Sequence, residues 1–175
     1  MEKDAGGMQL NGLLTKLSGL LEQETELYQA LLAAIDKEKR AVIATDLTKL
    51  NETTKVKENL LLKLRILDEQ RSHLLRKLAD VLHQPMEVLS LKRLSQMVEA
   101  PYASRLERCR TRLVSLIAKI QDANHRNRDL FSHSLELVKG SMNLLNNLMA
   151  SSPVYFRTGD IQQRDQTGKI LHGEV

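Results

Sequence analysis

From Leu10 to Val42 the apolar residues recur at spacings of three and four and fall into three heptad registers: Leu10, Leu17 and Leu31; Leu13, Leu20, Leu27, Ala34 and Ala41; Leu14, Leu21, Tyr28, Ile35 and Val42. The stripe is wider than the two-position seam of a paired coiled coil, so it predicts a helix over about 8–43 that meets more than one partner. Thr45 and Asp46 interrupt it as candidate N-caps. The pattern restarts with Leu50, Leu64 and Leu78; Leu60, Leu67, Leu74 and Val81; Leu47, Leu61, Leu75 and Leu82, a second helix over about 46–83. So short a connection predicts an antiparallel hairpin. His83-Gln84-Pro85 ends it, because proline disfavours helical backbone in the residue before it.

A short amphipathic segment, about 91–98, stops before Pro101, which suits the first turn of a helix over about 102–150. This third long helix carries Leu106, Leu113, Ile120 and Leu148; Cys109, Leu116, Leu130, Leu137 and Leu144; Ile117, Phe131, Val138 and Leu145. Ser151-Ser152-Pro153 closes it. The expected fold is all-α: an elongated antiparallel hairpin plus a long third helix, a coiled-coil-like three-helix bundle over 1–152, followed by a polar, mobile tail over 153–175.

Helix length has a consequence. At 1.5 Å per residue the first two helices span roughly 50 to 55 Å and the third roughly 70 Å. If the surplus is C-terminal, Met142, Leu144, Leu145, Leu148 and Met149 form an apolar strip without a full set of partners, the mark of a binding surface. Gly140 precedes the strip and weakens the helix by roughly 1 kcal/mol relative to alanine, a candidate hinge. The short segment 91–98, or a second copy of the chain, is the competing cover.

Polar residues interrupt the stripes. Glu24 and Glu38 take core positions on the first helix, and Lys57 and Arg71 on the second; each buried alone would cost several kcal/mol. About a turn near residue 45, Glu24 with Arg71 and Glu38 with Lys57 share one offset, so both pairs can bridge the hairpin and set its register. Asp68 competes for Arg71 from the same helix. Asn124 and Asn127 interrupt the third stripe as candidate register-fixing core amides.

Composition narrows the chemistry. Glycine and proline are scarce, tryptophan is absent and the only cysteine is Cys109, which removes an intramolecular disulfide or a thiolate metal cage and fits a reducing, cytoplasmic setting. Met1–Gly7 lacks the basic and apolar regions of a signal peptide, and no apolar run reaches the roughly 18 to 20 residues that span a bilayer, so no membrane insertion is expected. No nucleophile with a base at defined spacing, phosphate loop or metal-ligand histidine pair appears, so no catalytic, cofactor or metal residues are assigned and a non-enzymatic binding protein is expected. His73 is the best position for a histidine phosphotransfer bundle, but His73-Leu-Leu-Arg-Lys77 lacks the small glycine such bundles carry after the lysine.

The net charge of +4 is too small to indicate nucleic acid. Between Lys92 and Arg128, however, only Glu99, Glu107 and Asp122 offset nine basic residues, and Arg105, Arg112, Lys119 and Arg126 recur every seven positions as one ridge. No aromatic residues interleave them, so the ridge reads as a solvated face or a strip facing acidic side chains.

Four pieces in order resemble the FlgN family. They are Leu13-Leu14 through Leu20-Leu21-Glu22-Gln23-Glu24 to Tyr28 and Leu31-Leu32; Asp46-Leu47 to Leu50 and on through Lys57-Glu58 to Arg71; Asn124-His125-Arg126-Asn127 followed by Leu130 and a serine-leucine run; and Tyr155-Phe156-Arg157-Thr158-Gly159. The family's tail tends to read tyrosine, glycine, a short turn, glycine. Tyr155 and Gly159 match it, whereas Phe156 and Arg157 depart. The resemblance implies a cytoplasmic chaperone that binds hook-associated proteins of the hook-filament junction, keeps them from assembling early, and delivers them to the flagellar export machinery. Amphipathic helices dock on apolar strips, so Met142, Leu144, Leu145, Leu148 and Met149, with Tyr155 and Phe156 folding over, are the expected partner surface. A structural coiled-coil protein that self-associates through the same strip is the alternative, and self-association of the unbound chain stays open.

Overall fold

The first two long helices end where local chemistry stops them. A computed structural model describes residues 2–150, all of its regular elements helical. Helix α1, Glu2–Ile43, closes with Thr45 in the left-handed region (φ 54°), where the Thr45 and Asp46 amides donate back to the Val42 and Ala41 carbonyls at 3.0 and 2.9 Å. Asp46 then caps α2, Leu47–Val81, its carboxylate accepting from the Lys49 amide at 3.0 Å. The same back-bonded stop recurs after α2, at His83 (φ 51°) ahead of Pro85. A 3₁₀ turn, Met86–Val88, and a short helix α3, Leu91–Met97, lead to α4, Tyr102–Ala150.

The chain divides into two units inside α4, one Met1–Phe131 and the other beginning at Ser132. In the first unit α1 and α2 form an antiparallel hairpin, and α4 runs parallel to α1. The order of the contacts fixes these directions: Glu24 and Glu38 meet Arg71 and Lys57 of α2, while Thr15, Glu22 and Glu38 meet Tyr102, Arg105 and Asn127 of α4.

The core alternates apolar and polar layers. Leu13, Leu14, Leu17 and Leu21 of α1 pack with Leu78 and Ala79 of α2, Leu106, Cys109 and Leu113 of α4, and Leu89 and Leu94 from around α3. A second cluster joins Leu31 and Ile35 to Leu64, Ile120 and Ala123. The Glu24–Arg71 pair separates the two clusters, and Glu38, Lys57 and Asn127 follow the second.

The wide stripe is used along much of α1, and on α2 where Leu78 and Ala79 are both buried. Helix α1 is contacted from two sides and buries adjacent positions such as Leu13 with Leu14 and Ala34 with Ile35. Helix α4 buries a strict three-four seam, Leu106, Cys109, Leu113, Leu116, Ile120, Ala123 and Asn127. Its third register faces water, with Ile117 38% exposed. Asn124 lies one heptad after Ile117 and is therefore exposed, a correction to its assignment as a core amide. On α2, Leu47 and Leu61 of the third register are likewise exposed.

Candidate functional site

Beyond Phe131 the described residues form one stretch of α4, in which every residue from Leu135 to Met149 is exposed. Its sequence nonetheless keeps an amphipathic pattern. Phe131, Leu135, Val138, Met142, Leu145 and Met149 follow one another at four-three spacing and make a continuous apolar row. Leu137, Leu144 and Leu148 stand in the neighbouring row, which Ser134 and Ser141 interrupt. The seam that packs in the first unit thus continues here in diluted form, and the full apolar row lies one position further round the helix.

Charge is withdrawn from the strip. Glu136 and Lys139 are the last charged residues before Met149, and from Gly140 onward the polar positions are Ser141, Asn143, Asn146 and Asn147. From Leu135 to Met149 the row runs roughly 21 Å along the axis, about four turns. Met142 is 57% and Met149 78% exposed, and their flexible thioethers can adjust to partner side chains of different shape. A Cβ added at Gly140 would meet nothing within 4 Å, and α4 passes through that position unbroken.

Of the residues singled out from the sequence, Met142, Leu144, Leu145, Leu148 and Met149 are all exposed on this stretch. Tyr155 and Phe156 lie outside the described residues. Leu135, Leu137 and Val138 are as exposed as the rest and extend the strip by two turns toward the N-terminus, although sequence reasoning began it after Gly140. The signal was present in the unbroken spacing from Phe131.

The two buried carboxylates, Glu24 and Glu38, make two unlike sites. Lys57 Nζ donates to both Glu38 carboxylate oxygens at 2.7 and 2.9 Å, and the buried Asn127 amide donates to Glu38 Oε2 and to the Ile35 carbonyl, both at 3.0 Å. Here three helices meet in a hydrogen-bonded knot. Arg71 Nε instead lies 3.3 Å from Glu24 Oε1 without hydrogen-bond alignment, leaving both atoms unsatisfied, and the guanidinium also pairs with Asp68. Burial pushes the Glu24 carboxyl up, opposed by Arg71 and reinforced by Asp68. Burial likewise raises the Cys109 thiol, so it packs as a small hydrophobe.

Among the described residues no group of three or more His, Cys, Asp or Glu could hold a metal, and no helix is long and apolar enough to cross a membrane. His73 is an exposed surface residue of α2.

Among the described residues the chain is a helical protein whose last helical stretch carries an exposed apolar row, free of charged residues from Gly140 to Met149. Residues 8–163 match the FlgN protein family, and the chain belongs to that family of flagellar export chaperones. No curated protein and no solved structure matches it.

Proposed function

We propose that the protein is a cytoplasmic export chaperone for hook-associated proteins of the hook-filament junction, which it keeps from premature assembly and delivers to the flagellar export machinery. The observation that carries this reading is the exposed four-three row from Leu135 to Met149, in a chain of this family. The client offers an amphipathic helical segment whose apolar anchors, at matching spacing, lie against Val138, Met142, Leu144, Leu145, Leu148 and Met149. Tyr155 and Phe156, which follow in the chain, belong to the same proposed surface. Each anchor buried contributes on the order of 1.5 kcal/mol, so a few of them supply useful affinity after the cost of association.

The buried knot of Glu38, Lys57 and Asn127 sets helix register and takes no part in recognition. Co-purification with a hook-filament junction protein tests the reading. The full chain gives a one-to-one mass by light scattering, and a chain truncated after Gly140 gives none. If the full chain binds no client and self-associates instead, the structural coiled-coil reading replaces this one.

A further inference from the structure

The basic ridge of α4 is not uniform. Arg105 is neutralised by Glu22 of α1, donating through Nε and Nη2 at 3.0 and 2.8 Å, and Arg126 by Asp122 at 2.9 Å. Between these pairs, Arg108, Arg112 and Lys119 are exposed and make no ion pair among the described residues. They line an open groove between α1 and α4 whose other walls are Gln29, Thr111 and Ser115 over the buried Leu116. Gln29 stands one heptad after Glu22 on α1, so a neutral amide occupies the place where a second interhelical carboxylate would have quenched Arg112. Asp36, a further heptad on, makes no ion pair with Lys119 and does not line the groove. Every polar group lining the groove can donate a hydrogen bond, and none is a carboxylate.

We propose that this groove docks a short acidic segment of a protein partner, separate from any client held on the distal strip. Charge complementarity is the argument. Arg108, Arg112 and Lys119 extend over roughly 16 Å of helix axis, matching carboxylates at i, i+4 and i+11 of a helix laid alongside. The groove is bounded along α4 by the carboxylates of Glu22 near Arg105 and Asp122 beside Arg126. A long polyanion such as nucleic acid would run into both, whereas a short segment ends before them. The lining also has no aromatic side chain on which a base could stack.

The test uses the full chain and a fluorescein-labelled, alanine-based peptide of about sixteen residues with Glu at i, i+4 and i+11, followed by anisotropy at low and raised salt. The expected result is saturable binding that weakens with salt, is absent for the Gln counterpart, and falls about tenfold or more in Arg112→Glu/Lys119→Glu. An Arg112→Gln/Lys119→Gln variant, which keeps the surface polar, falls between, and circular dichroism confirms that both variants fold. Binding that is absent, or untouched by the charge reversal, overturns the proposal. So does a single-stranded oligonucleotide that binds more tightly than the peptide through the same residues, or displacement of the peptide by millimolar inorganic phosphate at matched ionic strength. Client binding is measured separately, so failure here leaves the chaperone reading standing.

Discussion

Asn127 of α4 donates its side-chain amide to the Glu38 carboxylate of α1 at 3.0 Å, within a seam whose neighbouring positions, Ile120 and Ala123, are apolar. The same carboxylate holds Lys57 of α2, so one buried acid ties together all three long helices.

Removing that acid strands both donors. Glu38→Ala should lower unfolding free energy by about 3 kcal/mol, because Lys57 is left largely buried without a counter-charge. The triple change Glu38→Leu/Lys57→Met/Asn127→Leu should recover most of that loss, since an apolar layer has no desolvation cost to offset. Urea denaturation of the three proteins measures both numbers. A triple variant no more stable than Glu38→Ala would show that the knot is worth more than its apolar replacement.

Glu24 gives the fold a pH dependence of definite sign. Its carboxyl is held above the ordinary 4.5, chiefly by burial, so the folded chain keeps this proton to higher pH than the unfolded one. The stability it contributes is therefore full below about 4.5 and is lost as pH rises through the folded value. Glu24→Gln should flatten that decline and leave the variant relatively more stable at pH 7, with Arg71 still paired to Asp68. Denaturant midpoints of both proteins at several pH values check this, and a pH-independent gap would contradict the assigned shift.

Thr45 sits in left-handed backbone (φ 54°) although it is β-branched. Thr45→Gly relieves roughly 1 to 2 kcal/mol of that conformational cost and loses part of it to glycine's greater unfolded-state freedom. A net gain of about 0.5 to 1 kcal/mol is expected, read as a raised melting temperature. A drop would mean that the threonine side chain stabilises the turn.

Leu94 is the one fully buried residue of α3 and packs with Leu14, Leu78 and Leu106. Leu94→Ala should cost about 3 kcal/mol through the cavity it leaves. A near-neutral result in thermal denaturation would show that α3 docks loosely.

The helical class was legible because heptad leucines with few glycines and prolines admit little else, and the stops at Asp46 and Pro85 were written in local chemistry. The pairing of Glu24 with Arg71 and Glu38 with Lys57 followed from hairpin geometry once the turn was placed. What the sequence hid was which flank of each stripe is covered. Ile117 and Asn124 share a register that continues through Phe131, Val138 and Leu145 when read along the chain, yet they face water, because α4 is covered along one seam only. The quenching of Arg105 by Glu22 was also hidden, since it depends on the stagger of two distant helices. The exposed stretch begins at Leu135, earlier than the surplus length of the third helix alone placed it, and the helix passes through Gly140 unbroken.

The most direct test of the chaperone assignment separates the strip from the segment that follows it. Met142→Asp/Leu145→Asp changes two exposed side chains and leaves the rest of the chain intact. Titration calorimetry against a hook-filament junction protein should show affinity falling at least roughly 100-fold, about 3 kcal/mol for two lost anchors, with helical content unchanged. Undiminished binding by this variant would contradict the account and place the client elsewhere on the molecule.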